Sequence, residues 1–224
     1  ITEALRHSCG VKALVVACNT ATAAAIEALR LAHPDLPLVG VEPALKPAAE
    51  RSRSRRVGVL VTEATARSPR FAALLARQRA DVGFAVVACE GLAAAIDAQD
   101  TTKIEALSDR FTLGFRQKNE KTAGVDTVVL GCTHYPLVRD VLGRLLGPGV
   151  ELIATGAPVA RHTRTQLQAR GLLRPLAAED AQTREAHPGS GRLRLLSTGD
   201  PAPLADAARR WLGIDQTVEW LPLE

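Results

Sequence analysis

The sequence predicts an α/β protein with mainly parallel sheets flanked by helices, arranged as two pseudo-symmetric domains. Three observations lead there. Short apolar, β-branched runs alternate with Ala/Leu/Arg-rich stretches of helical period, the signature of βα units. One strand-to-helix segment recurs without a gap in the second half of the chain. The length, 224 residues, also exceeds the roughly 150 typical of a single domain.

In chain order, strands are expected over 13–17, 38–41, 57–61, 84–88, 127–130, 152–154 and 193–196. Each is an apolar run bounded by turn residues or charges. Helices are expected over 21–32, 44–51, 69–79, 92–98, 102–118, 136–146, 158–170 and 203–212, five of them opened by or just after a proline. The polar, turn-rich stretch 180–191 reads as an exposed loop. Val41-Glu42-Pro43 and Thr155-Gly156-Ala157-Pro158 read as crossings between domains. One domain is therefore expected from 1–42 with 153–224, the other from 43–152.

Composition bounds the function classes. Hydrophobic residues make up 46% and charged residues 23%, an ordinary globular balance that excludes a disordered tail. No apolar run approaches the roughly 18 residues of a membrane span. Charge in Ile1-Thr2-Glu3-Ala4-Leu5-Arg6-His7 argues against a secretory signal. The chain begins on Ile and holds no Met, and is expected to be a piece of a longer protein. The dense run Arg51-Ser52-Arg53-Ser54-Arg55-Arg56 has no interleaved aromatic residue for base stacking, so a solvated helix end is preferred to a nucleic-acid site.

Four cysteines, at 9, 18, 89 and 132, form no CxxC pair and no disulfide framework, so neither structural zinc nor any other metal is expected. Two of them end the internal repeat. Gly10-Val11-Lys12-Ala13-Leu14-Val15-Val16-Ala17-Cys18 aligns with Gly124-Val125-Asp126-Thr127-Val128-Val129-Leu130-Gly131-Cys132. A lone cysteine after a strand is more often packing than chemistry. Two in matched context, followed by Asn19-Thr20 and Thr133-His134, point to reactive thiols. A cysteine between strand end and helix start meets exposed backbone N–H groups, which favour thiolate and a modestly lowered pKa. Cys89 follows the same Val-Val-Ala letters but precedes Glu90, whose charge opposes thiolate, and is expected to be structural, as is Cys9. Thr62 and Thr65, three apart before a helix opened by Ser68-Pro69, can donate hydrogen bonds to an anion or cap that helix.

Two matched acid/base groups suit a reaction with mirror symmetry, in which one removes a Cα proton and the other delivers one to the opposite face. No Gly-rich phosphate loop or pyridoxal-type lysine is present, so no cofactor is expected.

Ala17-Cys18-Asn19-Thr20-Ala21 and Gly131-Cys132-Thr133-His134-Tyr135-Pro136 resemble the paired motifs of bacterial glutamate racemases, in the cofactor-independent aspartate/glutamate racemase superfamily. The resemblance extends through Val39-Gly40-Val41-Glu42-Pro43, Thr62 to Ser68, and Thr198-Gly199-Asp200-Pro201. It implies glutamate bound in a cleft between two α/β domains, with Cys18 and Cys132 as the opposed acid/base pair. His134 would assist proton transfer, and Asn19, Thr20, Thr62, Thr65, Thr133 and His134 would contact substrate. It further implies D-glutamate supply for peptidoglycan, a cytoplasmic location and a homodimer, with neither nucleic acid nor membrane as partner.

Two departures accompany the resemblance. The family's opening Asp-Ser-Gly and Tyr-Gly loops have no counterpart, so residues 1–224 alone are expected to show little turnover. Ala154-Thr155-Gly156 stands where many relatives carry a second Asp-Ser-Gly. Racemisation of aspartate or another amino acid, a non-catalytic binding or regulatory role, and thiol redox chemistry are the alternatives. The last requires the two cysteine Cα atoms within ~4.4–6.8 Å.

Overall fold

A computed structural model describes residues 1–116, 124–174 and 193–223. The elements follow in order: α1 (Thr2–Cys9), β1 (Leu14–Val16), α2 (Asn19–Ala32), β2 (Leu38–Gly40), α3 (Leu45–Arg51), β3 (Arg56–Val61), α4 (Glu63–Ala66), α5 (Pro69–Ala76) and β4 (Gly83–Ala88). Then come α6 (Leu92–Asp97), α7 (Thr101–Arg116), β5 (Thr127–Leu130), a 3₁₀ turn (Tyr135–Val138), α8 (Arg139–Leu146), β6 (Glu151–Ile153) and α9 (Gly156–Ala169). The last elements are β7 (Leu195–Ser197), α10 (Ala202–Leu212) and β8 (Val218–Trp220). The chain forms two compact units, one of residues 15–163 and one of 1–14 with 164–224.

In the larger unit a four-stranded sheet has the order β4-β3-β5-β6, every pairing parallel. β3 is its central strand, and Val57, Val59, Leu60 and Val61 are fully buried, as a parallel strand covered on both faces requires. Val57, Val59 and Val61 share one face and pack with Leu45, Ala48, Ala49 and Phe71. On the other face the Phe115 ring lies so close over Gly58 that an added Cβ would meet it at 2.8 Å. A separate two-stranded sheet holds β1 and β2.

The smaller unit pairs β7 with β8 in parallel, tied by Arg194, whose Nε and Nη2 donate to Glu219 at 2.9 and 2.6 Å. α1 ends on Gly10 in the left-handed conformation (φ 57°), which glycine adopts without a Cβ clash. Among the described residues no helix is long and apolar enough to cross a membrane.

The expected α/β class and parallel pairing are found, with local differences. α2 begins two residues early because the Cys18 thiol accepts from Ala21 N–H and caps it. The helix expected from 136 opens as a 3₁₀ turn. α4 and β8, each short, were not expected. Residues 117 and 118 of the expected 102–118 helix, and the loop expected at 180–191, lie outside the described residues. The unit bounds differ from the expected domain bounds near 42 and 153. Residues 15–42 go with 43–152 because Thr20 and Glu27 of α2 bond to Thr62, Thr65 and Arg70.

The arginine run wraps an internal carboxylate. Ser52 Oγ donates to Asp126 at 2.7 Å, and the backbone N–H groups of Arg53 and Ser54 donate at 2.8 and 2.7 Å, fastening the amino ends of β3 and β5 together. Burial works to raise the Asp126 pKa, but the bonds from Ser52, Ser54 and Thr127 outweigh it and hold the carboxyl below its ordinary range. A lowered folded pKa means the bonds stabilise fully above the unfolded carboxyl value of about 3.9 and are lost as pH falls through the lower folded value. Asp126→Ala takes the acceptor from four donors, of Ser52, Arg53, Ser54 and Thr127, and is expected to cost about 1–3 kcal/mol at neutral pH. Urea melts of both proteins should show that difference shrinking as pH falls below about 4. A pH-independent difference would contradict this account.

Candidate active site

The site grows from the carboxyl ends of the strands in the larger unit, where parallel α/β sheets present their ligand-binding residues. After β1, Cys18 is exposed and adopts the extended conformation of an N-cap. Asn19 follows at 4% exposure, yet neither its amide oxygen nor its amide nitrogen has a hydrogen-bond partner among the described residues. Thr20 points its hydroxyl at Thr62 (2.9 Å) and Thr65 (3.2 Å), and Thr62 donates to Thr65 at 2.9 Å. Three hydroxyls thus close a triangle between the N-termini of α2 and α4. Thr62 also caps α4 by accepting from Thr65 N–H, so it both caps and takes part in the cluster.

Thr22 holds this corner in place. Its hydroxyl donates to the Val16 carbonyl and accepts from Val41 N–H, tying α2 to both strands of the small sheet.

After β5 the chain narrows to Gly131, whose N–H donates to Leu60 O at 2.7 Å. A Cβ there would come 2.5 Å from Val61 Cγ1 and 2.8 Å from the Leu60 carbonyl oxygen. Only glycine fits beside β3, which explains the small residue before the second cysteine. Cys132 is buried, with Thr133 partly buried after it. Its Sγ lies 3.6 Å from His134 Nδ1, and His134 Nε2 lies 2.9 Å from Asp97 Oδ1. A carboxylate can only accept, so Nε2 carries the hydrogen and Nδ1 is left to exchange a proton with the thiol.

Burial raises the pKa of Cys132 above the ordinary thiol value, outweighing the backbone N–H groups of His134 and Tyr135, while charge at Cys18 raises it further. The expected lowering is thus corrected for this thiol: removal from water disfavours thiolate more than the nearby backbone dipoles favour it. Cys18 and Cys132 are both free.

Cys89 is 2% exposed and burial pushes its pKa up to about 12. The expected structural role fits this burial, although the cause is desolvation and not the Glu90 charge. Tyr135 is fully buried, its pKa raised by burial and by the neighbouring Cys89 and Cys132. Among the described residues no three His, Cys, Asp or Glu side chains converge as a metal site requires.

The structure therefore gathers Cys18, Asn19, Thr20, Thr62 and Thr65 at one corner, and Cys132, Thr133 and His134 at the end of β5. Asp97 was not predicted. It ends α6, far from His134 in the chain, and no local spacing marks it.

The family model for Asp/Glu/Hydantoin racemase matches residues 1–182. The chain belongs to this family. Similar racemases include the glutamate racemase of Stutzerimonas stutzeri, 44% identical over 213 residues, covering 95% of this chain and 75% of the relative. That of Pseudomonas aeruginosa PAO1 is 48% identical over 166 residues, 73% of this chain and 61% of the relative. The chain thus spans between about three fifths and three quarters of the length of these relatives. Among solved structures, Escherichia coli glutamate racemase in complex with L-glutamate and the activator UDP-MurNAc-Ala aligns with a TM-score of 0.79 at 27% identity. That alignment covers 100% of this chain and 79% of the other. A Bacillus anthracis glutamate racemase aligns with a TM-score of 0.77 at 28% identity, over 99% and 79%. These matches support an amino-acid racemase, of the isomerase class, acting on glutamate.

Thiol environments can be ranked by alkylation. Iodoacetamide labelling followed by peptide mass spectrometry should modify exposed Cys18 first. Cys132 should react increasingly as pH rises past the ordinary thiol value of about 8.5. Cys89 should stay unmodified in the folded protein across that range. Labelling of Cys89 as fast as Cys18 would contradict the assigned burial.

Proposed function

We propose that this chain interconverts L- and D-glutamate without a cofactor, by proton transfer between two thiols. The observation that carries the reading is the pair of free cysteines at matching strand ends, one of them backed by His134 and Asp97. In one direction a thiolate takes the Cα proton, leaving a carbanion whose charge spreads into the adjacent carboxyl group. The opposing thiol then delivers its proton to the other face and becomes the thiolate. The reverse direction exchanges their roles, which needs one thiol and one thiolate at the start.

His134, oriented by Asp97, holds or returns the proton of Cys132 and offsets the burial that keeps this thiol neutral. The unpartnered Asn19 amide offers both a donor and an acceptor, matching the carboxylate and ammonium groups of an amino acid. Thr20, Thr62 and Thr65 offer hydroxyls to a second carboxylate, and Thr133 lies beside Cys132. Supply of D-glutamate for peptidoglycan, the cytoplasmic location and the homodimer belong to the same proposal.

Deuterium wash-in tests the mechanism. In a polypeptide that also carries the family's opening loops, Cys18→Ser and Cys132→Ser should each lower turnover by more than about 10²-fold, since serine is a far weaker acid than cysteine. With the two enantiomers supplied separately, each variant should abolish exchange from one enantiomer more than from the other. Cys89→Ser should leave turnover nearly unchanged. Equal, mild losses in both variants would count against a two-thiol reaction.

A further inference from the structure

We propose that Arg70 is a positioning residue that holds the threonine cluster of α4 against α2 by bridging two glutamates. This rests on the glutamate-binding role proposed above for Thr20, Thr62 and Thr65. Nε and Nη2 of Arg70 reach Glu42 Oε1 at 2.8 and 2.6 Å, and Nη1 reaches Glu27 Oε1 at 2.8 Å. Three segments meet at one guanidinium: α5 supplies Arg70, α2 supplies Glu27, and the stretch after β2 supplies Glu42.

The placement of Arg70 is unfavourable in isolation. It occupies the first turn of α5, where the helix dipole repels a cation, and that turn carries no acidic residue of its own. The two glutamates from other segments supply the opposing charge.

Each segment leads to the site by a short covalent or hydrogen-bonded path. Two residues before Arg70, Ser68 donates to the Thr65 carbonyl, and Thr65 belongs to the hydroxyl triangle. Glu27 lies on α2, whose first turn carries Asn19 and Thr20. Pro43, adjacent to Glu42, has its Cγ 3.4 Å from where a Cβ on Gly131 would stand, just before Cys132. Glu27 also meets Arg30 at 3.1 Å, so Glu42 is the partner more dependent on Arg70.

Arg70 is assigned a positioning role and not that of a substrate ligand, because its Nε, Nη1 and Nη2 are all engaged by Glu42 and Glu27. Lysine cannot reproduce the bridge, because its ammonium lacks the planar fork that serves two carboxylates at once.

The test uses the whole chain with Arg70→Leu, Arg70→Lys and Glu42→Gln, each checked for folding by circular dichroism. Two readouts are taken: amide hydrogen exchange over residues 63–68, and the L-glutamate concentration needed to protect Cys18 from iodoacetamide. Arg70→Leu should speed exchange, and should raise the glutamate requirement by about tenfold, below the hundredfold that a ~1 Å displacement can cost. Arg70→Lys should fall between Leu and the unsubstituted chain. Should Arg70→Leu fail to fold, Glu42→Gln gives the same readouts with both arginine and Glu27 retained. Unchanged exchange overturns the bridge. Faster exchange with an unchanged glutamate requirement overturns the positioning role. Absence of protection in the unsubstituted chain overturns the glutamate reading, and the positioning role with it, even where exchange responds.

Discussion

The site depends on the pairing of β3 with two parallel neighbours. Because Val61 pairs with Ala88 and Leu60 with Leu130, three strands finish at nearly the same level. Thr62, Cys89 and Gly131-Cys132 then emerge side by side at one edge of the sheet. The amino ends are fastened by Asp126, so the register is constrained at the opposite edge by a carboxylate that bonds β5 to the turn before β3. A slip of one residue would exchange the two faces of β3, set a side chain against the Phe115 ring that Gly58 accommodates, and separate the strand ends.

Three cysteines that follow similar strands end in different chemical states, and solvent access makes the difference. Cys18 caps a helix at the surface. Cys132 is buried beside a histidine that can exchange its proton, and Cys89 is buried without such a neighbour. Desolvation alone would leave both inner thiols neutral. The His134–Asp97 pair lies beside Cys132 and sets its surroundings apart from those of Cys89. Gly131 permits this arrangement, since any larger residue would collide with β3.

The hydroxyl triangle and the guanidinium of Arg70 meet the same structural problem at two scales. α4 is one turn long and cannot be held by its own backbone bonds. Its position comes from side chains reaching α2, through Thr20 at the site and through Glu27 farther along the helix. A short element carrying binding groups therefore depends on neighbours distant in sequence.

The α/β class, the alternation of elements and the two cysteine-bearing strand ends were legible in the sequence, because strand and helix periodicity and a matched cysteine repeat are local patterns. Cys18, Asn19, Thr20, Cys132 and His134 were singled out for that reason. Asp97 and Arg70 were not, since each acts on a residue distant in the chain and no local spacing reports such a meeting. The arginine run was read as a solvated helix end, and its four arginines are exposed; that its serines and backbone enclose Asp126 had no local signal. The ionisation of Cys132 also escaped the sequence. The amino-acid order determined which groups stand at the strand ends, but burial and the approach of Asp97 to His134, both products of tertiary packing, decided which proton each can hold.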